Sequence, residues 1–134
     1  MAIFWVTLFN MKKIIVPITL ATVWIGISEF VRNEFWLKPY WHDHYQAKGL
    51  LFPDAPVNGA TWGVWSFLFA ACMYMISNGS SFRKTFIVSW MMGFLLMWVV
   101  IGNLGVLPFG ILPYALPLSI VEVLGATWII FKFK

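Results

Sequence analysis

Charge is confined to a few places along the chain: Lys12, Lys13, the stretch from Glu29 to Asp54, Arg83, Lys84, Glu122, Lys132 and Lys134. Between them lie four long apolar runs, over about 14–30, 59–76, 85–101 and 113–131. A helix of about 20 apolar residues crosses the roughly 30 Å hydrocarbon core of a bilayer. Lipid offers the backbone no hydrogen-bonding partners, so runs of this kind must be helical. The pattern predicts an all-α membrane protein, a four-helix transmembrane bundle that takes up residues 1–134 as one domain.

The connectors differ in character. Residues 31–58 form a long, charged and aromatic loop, expected to be partly structured. Ser77-Asn78-Gly79-Ser80-Ser81 is a short polar turn in which Ser80 or Ser81 can N-cap the third helix. Residues 102–112 form an uncharged link with Gly102, Gly105, Pro108 and Gly110, so the last two helices make an apolar hairpin. One side of the membrane collects Lys12, Lys13, Arg83, Lys84, Lys132 and Lys134; the other collects Arg32, Lys38 and Lys48. The positive-inside rule then places both termini in the cytoplasm and the 31–58 loop outside. The Asn78-Gly79-Ser80 sequon falls inside and is expected to be inert. Met11-Lys12-Lys13 followed by an apolar run has the form of a bacterial translation start, and residues 1–10 read as an over-extended beginning. The chain is thus expected to be a multi-pass protein of the inner membrane.

Composition agrees: 61% of the residues are hydrophobic and 10% charged, against roughly 25% charged in soluble domains. The net charge of +4 comes mostly from basic residues flanking apolar runs, where they meet headgroups, and nucleic-acid binding is excluded. The lone Cys72 reads as a small buried hydrophobe. Trp36, Tyr40, Trp41, Trp62 and Trp65 read mostly as an interfacial belt. Gly59 and Gly63 form a GxxxG that would let a helix approach closely.

Glu122 is the strongest candidate for chemistry. It lies about ten residues into the fourth helix, roughly 15 Å deep at 1.5 Å per residue. An ionisable group at that depth marks a functional site by default. It could bind and release a proton or receive a cationic ligand, or it could simply be hydrogen-bonded to a neighbouring helix. Thr22 and Ser66 lie at compatible depths as partners. Pro113 and Pro117 precede it, and Pro117 frees a backbone carbonyl and bends the helix.

A second constellation falls at the outer face: Glu29, Arg32, Asn33, Glu34, His42, Asp43, His44 and Tyr45. Glu29–Arg32 and Glu29–Asn33 share a helix face if the first helix continues through Trp36. His42 and His44 point to opposite sides of a helix and would chelate together only from a strand or loop, so no metal site is assigned. Phe52-Pro53-Asp54-Ala55-Pro56-Val57-Asn58-Gly59 is a rigid entry to the second helix, with Asn58 a possible N-cap. Asn103, at the outer end of the third helix, would face this loop.

The sequence carries no phosphate cradle, nucleophile elbow or haem motif, and the cofactor is left open. No internal repeat relates 12–77 to 83–134, although a homodimer could supply symmetry. Three functions remain. The first is a small protein that binds or transports a solute or proton at Glu122, with Thr22, Ser66, Glu29 and Asn103 completing the site. The second is an accessory or scaffold subunit of a larger membrane complex. The third is a membrane enzyme acting on a lipid or quinone at the outer face through Glu29, Glu34, His42 and His44. The bilayer is the certain partner, and a homo-oligomer or larger complex is an open one.

Overall fold

The computed structural model describes the backbone of residues 2–134 and the side chains from Met11 on. The proposed start at Met11 concerns residues whose side chains lie outside that description. Helix α1, Ala2–Phe30, runs directly into a π-helical turn, Val31–Trp36. After Leu37 comes the short α2, Lys38–Gln46. Helix α3 is Pro56–Ser77. Helix α4, Phe82–Trp90, a second π-helical turn, Met91–Leu95, and α5, Leu96–Asn103, form one continuous rod. A 3₁₀ turn, Phe109–Ile111, leads into α6, Leu112–Phe133. No strand occurs among the described residues.

Four helical stretches are long and apolar enough to cross a membrane: Met11–Trp36, Pro56–Ser77, Phe82–Asn103 and Phe109–Phe133. The shortest have 22 residues, about 33 Å of helix. Their outward faces carry Val23, Ile27, Leu68, Met75, Val99, Val121 and Leu124, all exposed, as lipid-facing positions should be. The chain is therefore an all-helical, multi-pass membrane protein.

Local chemistry explains where the helices begin and end. Ser81 caps α4, its hydroxyl accepting from the Lys84 N–H at 3.3 Å. Asn58 does not cap α3. The helix starts earlier, at Pro56, with extended Ala55 before it, because a proline in the first turn loses no hydrogen bond. Gly105 follows the last turn of α5 with φ of 70°. There its N–H bonds to the Gly102 carbonyl at 3.0 Å and the Val106 N–H to that of Ile101 at 2.9 Å, a Schellman cap that needs the left-handed glycine.

Helix α1 packs against α6 and α3, and α4 packs against α6. The main core joins Ala21, Ile25, Phe69, Ala70, Met73, Phe94, Val123, Ala126 and Ile130. Gly93 lets the Phe69 ring lie on the second π turn, since a Cβ there would stand 2.5 Å from it. A smaller cluster, Leu37, Leu107, Ile111 and Ala115, closes one end. His44 Nε2 donates to the Gly105 carbonyl at 2.9 Å at that end. At the other end Lys134 Nζ donates to the Ser77 carbonyl at 2.9 Å.

Three sequence expectations are corrected. Residues 31–36 belong to the first span rather than to a loop, because Arg32 is paired inside the bundle and Glu34 is paired with Lys38 at the exposed end of the span. Cys72 is exposed on the lipid-facing side of α3 rather than buried. A Cβ at Gly59 or Gly63 would meet nothing within 4 Å, so among the described residues the GxxxG packs against no helix.

Candidate functional site

Glu29 and Arg32 stand three residues apart at the end of the first span, and Glu122 stands mid-way along α6. Packing of α1 on α6 brings the three together. Arg32 Nη1 donates to Glu122 Oε2 at 2.6 Å, and Nη2 donates to Glu29 Oε1. Asn33 Nδ2 holds the other Glu29 oxygen at 2.8 Å and the Glu29 carbonyl at 3.1 Å. The guanidinium lies over the Phe94 ring, with Cζ 5.0 Å from its centroid. All three charged residues are nearly sealed from solvent: Glu29 and Arg32 are 5% exposed and Glu122 is 1% exposed.

Two π turns produce this geometry. In an α-helix, residues i and i+5 point about 140° apart. In the first π turn the Leu37 N–H reaches back to the Arg32 carbonyl at 2.9 Å, and that i→i+5 bond stacks the two residues. Arg32 therefore reaches Glu122 while Leu37 packs with Ala115 on the same helix. The second π turn, closed by the Leu96 N–H on the Met91 carbonyl, contains Phe94. Single-turn π segments of this kind recur at functional sites.

The α6 side is fixed by Trp24. Its indole N–H donates to the Glu122 carbonyl at 2.8 Å. The indole lies on Gly125, where a Cβ would come within 2.6 Å of it. Ser119, one turn before Glu122, accepts from the Trp90 indole at 2.9 Å and donates to the Leu116 carbonyl at 2.8 Å. Thr85, Ser89 and Thr127 are also fully buried on the α4 and α6 helices.

Two carboxyls thus share one guanidinium. Both Glu29 oxygens and Glu122 Oε2 have donors, whereas Glu122 Oε1 is buried with no hydrogen-bond partner among the described residues. A buried polar atom left unpaired costs about 1–3 kcal/mol. Chemically, Oε1 is placed to take a proton or a donor from a guest.

The remaining sequence candidates are dispersed. Thr22 and Ser66 do not bond to Glu122. Their hydroxyls turn back to the Ile18 carbonyl at 2.8 Å and the Trp62 carbonyl at 2.9 Å, the usual local choice for a hydroxyl inside a helix. Glu34 pairs with Lys38 at 2.6 Å on the exposed surface, and that hydrogen bond holds the Lys38 ammonium above its ordinary range. His42 and Tyr45 pack on the Phe52 ring, with centroids 4.9 and 5.3 Å away. His44 is tied to Gly105, and Asp43 and Asn103 are exposed. No group of three His, Cys, Asp or Glu that could hold a metal occurs among the described residues.

An apolar groove of about 470 Å³ opens between Phe35, Trp36 and Tyr40 on one side and Pro113, Tyr114 and Pro117 on the other, and its lining includes none of Glu29, Arg32 and Glu122. Phe35 and Trp36 lie one turn beyond Arg32, and Leu118, also on its wall, lies one turn before Glu122.

Fold and site together define a small multi-pass helical membrane protein built around a buried carboxyl–guanidinium–carboxyl network. No family model matches the chain, and no curated protein or solved structure does so either.

Proposed function

We propose that this is a small inner-membrane protein that binds or transports a proton or small solute, with Glu122 as its buried ionisable site. The observation that carries the reading is the second carboxyl. A structural ion pair needs one carboxylate for one guanidinium, and extra buried charge is expensive. A network of two carboxyls with one oxygen unpartnered is poorly explained by stability and well explained by exchange of a proton or cation. The buried hydroxyls of Thr85, Ser89 and Thr127 add polar groups toward the end of the bundle that carries Arg83 and Lys84.

That end is the cytoplasmic one in this reading. The Lys134–Ser77 contact brings the C-terminal lysine to the end of α3, a few residues in sequence before Arg83 and Lys84, and basic residues at one end of the bundle support a cytoplasmic location for the C-terminus. The enzyme reading draws no such support, since Glu29, Glu34, His42 and His44 do not converge. The accessory-subunit reading retains one observation, the unpartnered Gly59 and Gly63 on α3.

Difference infrared spectroscopy of the reconstituted protein tests the proposal. A carboxyl stretch that responds to pH in the wild type and is missing from Glu122→Gln is the expected result; identical spectra would refute it. Native mass spectrometry of gently extracted protein separates the alternatives. A retained small molecule lost in Glu122→Gln supports binding, and a different protein held in fixed stoichiometry moves the weight to the accessory role.

A further inference from the structure

We infer that Glu29, Glu122 and the Phe94 ring form a receptor for a small organic cation of the guanidinium class, and that Arg32 fills it as a tethered substitute. This rests on the reading of Glu122 as the exchangeable site and names its ligand. The cradle has the three parts such a ligand needs. Two carboxylates accept its N–H donors, an aromatic face lies beneath it, and one acceptor, Glu122 Oε1, is buried and unused. A planar guanidinium offers five donors in a fixed fork and stacks on aromatic rings. A compact quaternary ammonium would gain only the ring.

Exchange requires Arg32 to leave and a guest to enter. Arg32 lies one turn from Trp36, the end of the first span. A long basic side chain at that position can swing its head toward the membrane surface while its stem stays on apolar ground. The groove lined by Phe35, Trp36, Tyr40 and Tyr114 lies one turn along the chain from Arg32, and the swing of Arg32 is what would join it to the cradle. Its aromatic walls suit a cation crossing between headgroups and cradle. The net charge of the site is the same before and after, because one guanidinium replaces another.

Calorimetric titration with methylguanidinium tests this, using the full chain in detergent at constant ionic strength. Arg32→Ala removes the tethered competitor and is expected to bind methylguanidinium about tenfold or more tightly than wild type; adding Glu122→Gln should weaken that binding about tenfold or more. Tetramethylammonium, which has no N–H, should bind more weakly than methylguanidinium. Equal titrations in Arg32→Ala and Arg32→Ala/Glu122→Gln would overturn the inference. If Arg32→Ala does not fold, Arg32→Lys keeps the charge but leaves part of the cradle open. Methylguanidinium should then raise its unfolding temperature above a sodium chloride control, and no rise would overturn the inference. The infrared carboxyl signal separates the two levels. A signal that depends on Glu122 without methylguanidinium binding defeats the ligand assignment alone; absence of both defeats the site as well.

Discussion

Glu29–Arg32 and Glu34–Lys38 are two acid–base pairs at helical spacing in neighbouring turns. In sequence they look alike. In the structure the first pair is 6% and 6% exposed at its side chains, and the second is 37% and 38% exposed. The first is joined by Glu122 from another helix, while the second lies at the surface, with Asp54 adding to the charge around Lys38. The difference shows that spacing along one helix sets which charges can meet, whereas the partner helix decides whether the meeting matters. An exposed pair lost to mutation is replaced by solvent. A buried one leaves charges with nowhere to go.

The largest effect should come from removing the shared cation. Arg32→Ala strips the donor from Glu29 Oε1 and Glu122 Oε2 together. Breaking a buried ion network at one member costs about 3–5 kcal/mol, measurable as a lower unfolding midpoint in detergent. The converse experiment sharpens the point. Glu29→Leu/Arg32→Met/Glu122→Leu removes all the charge at once and should be neutral or stabilising, by up to about 4 kcal/mol. The same variant should show no pH-responsive carboxyl band from this site. A stable but inert triple variant would mean that the network serves exchange rather than folding. A strongly destabilised one would mean that it serves the fold.

A smaller effect is expected beside the network. Gly125→Ala places a methyl about where the Trp24 indole now lies, with a clash at 2.6 Å. Overpacking of this kind costs about 1–3 kcal/mol, and the Trp24–Glu122 hydrogen bond is lost with it. Denaturation in detergent reads the cost. Gly63→Ala, with nothing within 4 Å, is the matched control and should leave the monomer's midpoint unchanged.

The legible part of this protein was what depends on runs of one chemical character. Four spans follow from apolar length, the Ser81 cap from residue type, and Glu122 from its isolation. What depends on contact between helices was not legible. Charge at Arg32 and Glu34 looked like the start of a loop, yet the first helix continues through both. The continuation is tolerated because Arg32 turns inward to Glu122 and Glu34 pairs outward with Lys38. Depth along each helix points to hydroxyl partners for Glu122. Thr22 and Ser66 instead satisfy their own helices, and the partner is a long arginine reaching in from the span's end. An intramembrane carboxyl with a basic residue one turn inside another span was the usable signal. Phe94, Trp24 and Gly125 carried none, because their roles arise from two π turns and one close approach that no local pattern encodes.

The smallest effect belongs to the exposed pair, and it is the sharpest check on the comparison. Glu34→Gln removes the carboxylate from Lys38 but leaves both positions in water. The unfolding midpoint at neutral pH should stay within error of wild type, because solvent takes over what the partner supplied. The pH dependence has a defined sign. Glu34 raises the Lys38 ammonium above its ordinary value of 10.5. Whatever stability the pair adds is fully present below that value, and it is lost only as pH rises through the raised one. Wild type and Glu34→Gln should therefore run parallel through the neutral range and converge in strong alkali. High salt should narrow the remaining gap, since an exposed pair is screened. A clear destabilisation of Glu34→Gln at neutral pH would break the contrast. It would mean that the outer pair is covered in the folded protein by something other than water, and the surface around Lys38 would become the next place to look for a partner.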